Sequence, residues 1–201
     1  MIAVLDYGVG NLFSVSKALS AVGADVKVTD EAADLREAER ILLPGVGAFG
    51  DCMRNLEATG LIPVLKEEIE GGKPLLGICV GLQILFRGSE ESPDVEGLGI
   101  LPGMVRKIQA PGLKIPHMGW NSLDVAEPGE GLFAGLEEHP YVYFVHSYHA
   151  VPEDASIVTA AASYGGRLTA SVADGNVLAT QFHPEKSGDV GLRILKNFIE
   201  G

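Results

Sequence analysis

The chain carries one cysteine in a setting that suits a nucleophile. Cys79 lies in the pentapeptide Gly77-Ile78-Cys79-Val80-Gly81, between a strand-like segment and a segment with helical spacing. A sharp turn from strand to helix exposes the central side chain, and flanking glycines avoid crowding. A thiol there lies at a helix N-terminus, whose dipole favours the thiolate, and the amide of Val80 points towards a forming oxyanion. The alternative is a buried core cysteine beside two packing glycines.

A base and an orienting group for such a thiol lie far downstream. A thiolate that attacks an amide needs a base within hydrogen-bond reach, and the base needs a partner that orients it. His183 ends a predicted strand, Pro184 prevents the strand from continuing, and the spacing lets the Glu185 carboxylate turn back to the imidazole. Alone this motif is ordinary at strand ends; together with the cysteine turn it predicts a Cys–His–Glu triad. Of the remaining histidines, we interpret three as surface or packing residues: His117, His139 and His149. The role of His146 stays open.

A glycine-rich turn follows another predicted strand, at the edge of the sheet where open α/β proteins build their sites. In Pro44-Gly45-Val46-Gly47 the glycines allow a backbone amide to face an oxyanion or to be withdrawn by a peptide flip. A phosphate-binding turn or a plain strand-end turn is the alternative, although no Walker motif follows. The N-terminal DYGVGN lacks the third glycine of a dinucleotide-binding turn, so we expect no nicotinamide site.

The elements that must position these residues alternate along the first half of the chain. The segments IAVLDY, DVKVTD, RILLP and PLLGIC have strand patterns, and segments with helical patterns separate them, which indicates a parallel sheet with right-handed crossovers. After residue 97 come short strand-like pieces between Pro, Gly and Asp turns, typical of an antiparallel extension. We therefore predict one α/β domain over residues 1–201, an open and mostly parallel sheet flanked by helices with antiparallel strands in its C-terminal half.

Composition excludes several classes of partner. The 201 residues carry a formal net charge of −12, which disfavours nucleic acid and anionic membrane surfaces. No apolar run approaches the about 20 residues of a bilayer span, and the N-terminus lacks signal-peptide features, so we expect a cytoplasmic protein.

Two cysteines cannot form a disulfide framework, and Cys52 has no role visible in the sequence. The spacing of the histidines predicts no metal site.

The motifs together resemble those of a known family. GICVGLQ, with His183 and Glu185 downstream, is similar to the class I (triad) glutamine amidotransferases. DYGVGNL, LPGVGAFGDCM, PHMGWN, YFVHSY and QFHPEKS resemble, over essentially the whole chain, the glutaminase subunits of imidazole glycerol phosphate synthases in histidine biosynthesis. The N-terminal motif and PHMGWN are the specific ones, since sister amidotransferases share the cysteine and His-Pro-Glu motifs.

The resemblance implies an activity and a role for individual residues. Cys79 would attack the glutamine carboxamide, His183 would act as base and then acid, and Glu185 would orient it; glutamate and ammonia are the products, with no cofactor. The oxyanion hole would be formed by Val46, Gly47 and Val80. The substrate glutamine would be held by Gly45, Gln83, Glu91, His146, Ser147 and Tyr148. From spacing alone, Glu91 is equally well a solvated charge.

The resemblance also implies a partner. The ammonia would pass through a tunnel to a separate (β/α)8-barrel cyclase, in a heterodimer that makes imidazole glycerol phosphate and AICAR. The surface facing it would include Asn11, His117, Met118, Trp120 and Tyr143. Trp120, the only tryptophan, suits an interface anchor, with core packing as the alternative.

Two other functions remain to be weighed against this one. A glutaminase could serve another synthase, of the anthranilate or pyridoxal phosphate type, but PHMGWN argues against it. A non-catalytic interaction module has no physical need for the intact trio of Cys79, His183 and Glu185.

Overall fold

The computed structural model describes residues 1–127 and 129–201. The helices are α1 Leu12–Ala21, α2 Ala32–Glu37, α3 Phe49–Thr59, α4 Ile62–Glu70, α5 Val80–Gln83 and α6 Gly188–Glu200. The strands are β1 Ile2–Leu5, β2 Val26–Thr29, β3 Arg40–Gly45, β4 Leu75–Cys79, β5 Gly103–Lys107, β6 His117–Ser122, β7 Asp124–Val125, β8 Tyr141–His146, β9 Tyr148–Pro152, β10 Val158–Ser163, β11 Arg167–Asp174 and β12 Val177–Thr180. No helix in the described ranges is long and apolar enough to cross a membrane.

One large sheet organises the molecule. Its strand order is β2-β1-β3-β4-β12-β11-β10-β7, parallel from β2 to β12 and antiparallel from β12 to β7. Two antiparallel ribbons, β5–β9 and β6–β8, lie outside it. Helix α1 packs against α6, and α2 packs against α4. The predicted fold class, a mostly parallel α/β sheet with antiparallel strands in the C-terminal half, is confirmed.

Local sequence explains why these elements form. The Asn11 side chain accepts a hydrogen bond from the Ser14 amide at 3.2 Å and caps α1, whose buried residues are Val15, Ala18 and Leu19. Strands β1, β3 and β4 are buried on both faces and therefore read as continuous apolar runs. Gly60 ends α3 with a φ of 70°, a conformation that glycine adopts without steric cost.

Two elements differ from the pattern in the sequence. Strand β12 falls in the stretch predicted to be antiparallel, yet it pairs in parallel with β4. Helical spacing also continues from Val80 to Phe86, but α5 ends at Gln83. There the carbonyls of Ile84 and Leu85 accept hydrogen bonds from the 98–101 segment instead of extending the helix. Both differences come from pairing with distant parts of the chain.

Glycines let the backbone pack tightly around the end of β4. A Cβ on Gly81 would lie 2.0 Å from the carbonyl oxygen of Leu43, and one on Gly45 would lie 2.5 Å from the Gly81 amide nitrogen. A Cβ on Gly77 would lie 2.9 Å from the Gly81 carbonyl oxygen. Strands β3 and β4 and the start of α5 are therefore in direct backbone contact, which only residues without a side chain allow.

This packing makes Gly81 the most sensitive of these positions. We expect Gly81→Ala to lower the free energy of unfolding by about 3 kcal/mol or more, since the new methyl group overlaps backbone atoms that cannot move independently. Urea unfolding checks this, with Gly166→Ala as the control because Gly166 is exposed with open space around its Cβ position. Equal effects of the two substitutions would contradict the packing argument.

Candidate active site

A cavity of about 530 Å³ lies at the carboxyl ends of the parallel strands. Cys79 is the last residue of β4, Val46 follows β3, and His183 comes three residues after β12. Because neighbouring parallel strands end at the same edge, these three residues converge there although they are far apart in sequence. The cavity is lined by Gly10, Asn11, Val46, Gly47, Cys79, Val80, Gln83, Glu91, Val145, His146, Tyr148, His183 and Lys186.

The backbone of Cys79 has an uncommon conformation. With φ 58° and ψ −112°, Cys79 is the only non-glycine residue of positive φ in residues 1–127 and 129–201. Such a conformation costs on the order of 1–3 kcal/mol and persists only where the surroundings impose it. It turns the chain from β4 into α5, and only 4% of the residue is exposed. Val80 is the first residue of α5, so its N–H has no partner within that helix.

His183 and Glu185 form a buried pair beside this cysteine. His183 Nδ1 and Glu185 Oε1 are 2.8 Å apart, and the two side chains are 3% and 1% exposed. The opposite ring nitrogen, His183 Nε2, is buried without a hydrogen-bond partner in the described structure. The Nδ1 contact to a carboxylate fixes the orientation of the ring and leaves Nε2 for the reacting groups.

The surroundings of His183 favour its charged form. Burial lowers the pKa of His183, but interactions with Cys79 and Glu185 outweigh burial and raise it from 6.5 to about 9. An imidazole protonated at neutral pH can hold a thiolate beside it and can give a proton to a leaving group. The arrangement therefore has the chemistry of a Cys–His–Glu nucleophilic site.

The glycine-rich turn after β3 borders the same cavity. Gly47 has a φ of 91°, and the Val46 carbonyl accepts a hydrogen bond from the Cys52 thiol at 3.3 Å. Burial raises the pKa of Cys52 to about 11, so this group stays a protonated donor. The Tyr7 hydroxyl donates to the Pro44 carbonyl. The carbonyls of Pro44 and Val46 thus both accept side-chain hydrogen bonds, while Val46 and Gly47 line the cavity.

The residues expected to hold a substrate divide into two groups. Gln83, Glu91, His146 and Tyr148 line the cavity, whereas Gly45 and Ser147 do not. Gly45 is the position where β3 packs against the start of α5. Ser147 connects β8 to β9, and its carbonyl accepts a hydrogen bond from the amide of residue 108.

Glu91 is not a solvated charge. Its Oε2 accepts a hydrogen bond at 2.8 Å from the amide of Phe49, the first residue of α3. A carboxylate is favourable at a helix N-terminus. The contact fixes Glu91 at the wall of the cavity, and the alternative of a free surface carboxylate does not hold.

Sequence reasoning missed other residues around His183. The Gln181 amide nitrogen lies 3.9 Å from Cys79 Sγ. The Ser187 hydroxyl donates to the His183 carbonyl at 2.6 Å and accepts from the Tyr143 amide at 3.0 Å. Both belong to QFHPEKS, so the motif contained them, but nothing in their residue type or spacing distinguished them from neighbouring polar residues.

The expected partner-facing residues are of mixed exposure. Met118 and Trp120 are 62% and 55% exposed, so core packing of the tryptophan does not hold. The Tyr143 ring stands edge-on to Trp120, with centroids 6.2 Å apart, and Asn11 lies at the cavity. His117 differs from the expectation, because it is buried at 3% exposure and offers no surface to a partner.

No metal site emerges from the described part of the chain. Within residues 1–127 and 129–201 no group of three or more His, Cys, Asp and Glu side chains is arranged to hold a metal ion. Two ionisable side chains of the cavity have partners within the protein: His183 pairs with Glu185, and Glu91 accepts a hydrogen bond from the first amide of α3.

Comparison with known proteins agrees with this site. The family model described as "Glutamine amidotransferase class-I" matches residues 3–201, and the chain belongs to that family. It is 52% identical to the imidazole glycerol phosphate synthase subunit HisH of Syntrophotalea carbinolica, covering 98% of both chains. It is 50% identical to the HisH subunit of Moorella thermoacetica, covering 99% of this chain and 94% of the relative.

Solved structures share the fold. A crystal structure of a glutamine amidotransferase superposes with a TM-score of 0.78 at 24% identity, covering 99% of this chain and 97% of the other. PurLQS from Thermotoga maritima gives a TM-score of 0.74 at 24% identity with the same coverage. The fold, the family and the relatives agree on an enzyme of the glutamine amidotransferase type.

The charge state of His183 is directly measurable. We expect Glu185→Gln to lower the pKa of His183 from about 9, because the neutral amide no longer offsets burial. In the wild-type protein protonated His183 favours the folded state, so its contribution to stability is complete below pH 6.5 and is lost as the pH rises through about 9. Histidine NMR titration and urea unfolding against pH measure both effects.

The control is Glu153→Gln, which removes an exposed carboxylate paired with Arg87. It should leave the pKa of His183 unchanged. A His183 pKa that is the same in the Glu185→Gln variant and the wild-type protein would contradict the assignment of Glu185 as its partner.

Proposed function

We propose that this chain is the glutaminase subunit of an imidazole glycerol phosphate synthase. It hydrolyses L-glutamine to glutamate and ammonia and delivers the ammonia to a separate cyclase subunit. The observation that carries the proposal is Cys79, held at positive φ in the same cavity as the buried His183–Glu185 pair. The relatives at about half identity over the full length carry the name of that synthase subunit.

The residues of the site act in successive steps of the reaction. The Cys79 thiolate attacks the carboxamide carbon of glutamine, and protonated His183 gives its proton to the departing nitrogen, which leaves as ammonia. Neutral His183 then takes a proton from water, whose oxygen attacks the γ-glutamyl thioester and releases glutamate and the thiolate. Glu185 keeps the ring oriented and stabilises its charge in both steps.

Backbone amides stabilise the tetrahedral intermediates. We assign this role to the N–H of Val80 at the start of α5 and to the Val46–Gly47 turn, since donors fixed before the reaction stabilise a forming oxyanion most effectively. The positive φ of Gly47 lets the peptide change orientation at low steric cost. We propose that this turn is the element a bound partner switches between resting and active states.

The substrate occupies the cavity between the nucleophile and the polar residues of the opposite wall. We assign its amino and carboxylate groups to Gln83, Glu91 and Tyr148, which line the cavity together with His146. The Glu91 carboxylate suits the ammonium group, as opposite charges attract strongly in a partly enclosed site. Ser147 and Gly45 do not line the cavity; they directly precede Tyr148 and Val46, which do.

The exposed part of β6 is the proposed docking surface for the cyclase. Met118 and Trp120 are large apolar side chains left in solvent next to Tyr143, and aromatic anchors of this kind dominate the energetics of interfaces. Asn11 at the cavity would complete this surface. We propose a (β/α)8-barrel partner, and a cytoplasmic setting in which Cys52 and Cys79 remain free thiols.

The proposal predicts a reaction that depends on the partner. Glutaminase activity of the isolated chain should be low and should rise by orders of magnitude when the cyclase and its nucleotide ligand are added, because the partner orders the Val46–Gly47 turn. Cys79→Ala should abolish synthesis from glutamine, while added ammonium salts still support the cyclase reaction. Coupled assays of glutamate and imidazole glycerol phosphate formation measure both.

The control is Cys52→Ser. The serine hydroxyl can still donate a hydrogen bond to the Val46 carbonyl, so this variant should retain glutamine-dependent synthesis. Full activity of the isolated chain would contradict switching by the partner. Normal glutamine turnover by Cys79→Ala would contradict the nucleophile, and no synthesis from glutamine with the wild-type pair would contradict the proposed function as a whole.

A further inference from the structure

A chain of hydrogen bonds runs through the interior from β6 to the cavity. Asn121 Nδ2 lies 3.2 Å from His117 Nε2 and 3.0 Å from the Ser163 carbonyl oxygen. His117 Nδ1 lies 2.9 Å from His146 Nε2. His146 Nδ1 lies 2.8 Å from the Tyr148 carbonyl oxygen. Two buried histidines therefore connect the partner-facing strand to the backbone that lines the cavity.

The partners determine where the protons are. A carbonyl oxygen only accepts, so His146 Nδ1 carries a hydrogen and donates to Tyr148. If His146 is neutral, its Nε2 accepts, and His117 Nδ1 must donate to it. His117 Nε2 then accepts from the amide of Asn121. Every contact is satisfied with both rings neutral and both protonated on Nδ1.

A charge on either ring would break this chain. Protonated His146 would present an N–H to the N–H of His117, and protonated His117 would present an N–H to the Asn121 amide. The surroundings oppose that charge: burial lowers the pKa of His117, and it lowers the pKa of His146 to about 3. The titratable groups that act on His146 are His117, His149 and His183, all of which disfavour a positive charge.

The ring of His117 is also fixed in orientation. It is stacked between Phe144 and Tyr164, with centroid distances of 4.6 Å and 4.2 Å. Turning the ring by 180° about the Cβ–Cγ bond would place a carbon where each hydrogen-bonding nitrogen now lies. The stack therefore fixes the plane of the ring, and the hydrogen bonds select one of the two orientations possible in that plane.

Beyond the histidines the chain continues to the nucleophile. The Tyr148 carbonyl also accepts from Gln83 Nε2 at 3.1 Å, and the same amide donates to Gln181 Oε1 at 3.0 Å. Gln181 Nε2 in turn approaches Cys79 Sγ at 3.9 Å. The position of the Tyr148 carbonyl thus decides where the Gln83 amide points, and Gln83 decides the orientation of Gln181.

We propose that His117 and His146 are positioning residues for glutamine hydrolysis: a permanently neutral pair that holds the Tyr148 carbonyl and, through it, the Gln83 amide in the glutamine-binding arrangement. The inference rests on the proposed function for its catalytic meaning, while the proton positions stand independently of it. His117 does not touch the cavity and acts only through His146.

The first test reads the protons directly. In nitrogen-15 NMR of the histidine-labelled full chain, both rings should show the neutral form protonated on Nδ1 throughout pH 6–9, in contrast to His183, whose pKa is raised to about 9. A ring that is charged at pH 7, or protonated on Nε2, would overturn the proposal. This result does not depend on whether glutamine is the substrate.

The second test separates positioning from a purely structural role. In the complex with the cyclase, His117→Phe keeps the stacked ring but leaves His146 Nε2 without a donor; we expect the KM for glutamine to rise on the order of tenfold, with a much smaller change in kcat. His117→Asn places an amide N–H where Nδ1 was and should restore most of the affinity. Ammonia-dependent synthesis should be the same in all variants.

Tyr164→Phe is the matched control. It keeps the ring that stacks on His117 and removes only the hydroxyl, whose partner is the Lys114 carbonyl, outside the hydrogen-bonded chain. Its KM should stay at the wild-type value. A KM for His117→Phe equal to that of Tyr164→Phe, or a loss of stability with KM unchanged, would overturn the proposal. Should His117→Phe not fold, the NMR result on the wild-type chain decides, whereas absent glutaminase activity of the wild-type complex would overturn the proposed function instead.

Discussion

The backbone of Cys79 is the constraint on which the rest of the site depends. A cysteine at φ 58° is stable only where surrounding contacts impose that conformation, and here the contacts are backbone to backbone. Gly45, Gly77 and Gly81 remove the side chains that would separate β3, β4 and α5. The turn that results places the sulfur in the cavity and the following amide beside it. The glycines act by packing, since none of these three has a positive φ.

The neighbours of two histidines in one cavity favour the positively charged form of one ring and the neutral form of the other. Burial lowers the pKa of both, yet His183 faces a carboxylate and a thiol and rises to about 9, whereas His146 faces a carbonyl and a second histidine and falls to about 3. One ring is thus suited to transfer protons and the other to hold a fixed hydrogen bond. Residue type alone does not separate these roles; the partner of each ring nitrogen does.

The sequence predicted those parts of the molecule that depend on local pattern. The buried runs of β1, β3 and β4 are local, and so is the spacing of His183 and Glu185. The parallel pairing of β12 with β4 was not predictable from its own residues, because it depends on which strand lies next to it.

Parts of the site have the same non-local origin. The Glu91 carboxylate bonds to an amide 42 residues away, and Gln181 reaches Cys79 across 102 residues. His117 belongs to a motif whose neighbouring residues 118 and 120 are exposed, while its own ring is buried in the histidine pair. Alternation along β6 explains the contrast once the strand is known, but β6 is not among the strands predicted from the sequence.

Trapping the intermediate shows directly whether Cys79 carries the glutamyl group. The complex with the cyclase and its ligand is mixed with glutamine, quenched in acid within one turnover, and digested for mass spectrometry. We expect one γ-glutamyl group on the peptide that contains Cys79 and none on the peptide that contains Cys52. A glutamyl group on Cys52, or glutamate released in the first turnover with Cys79 unmodified throughout, would contradict it.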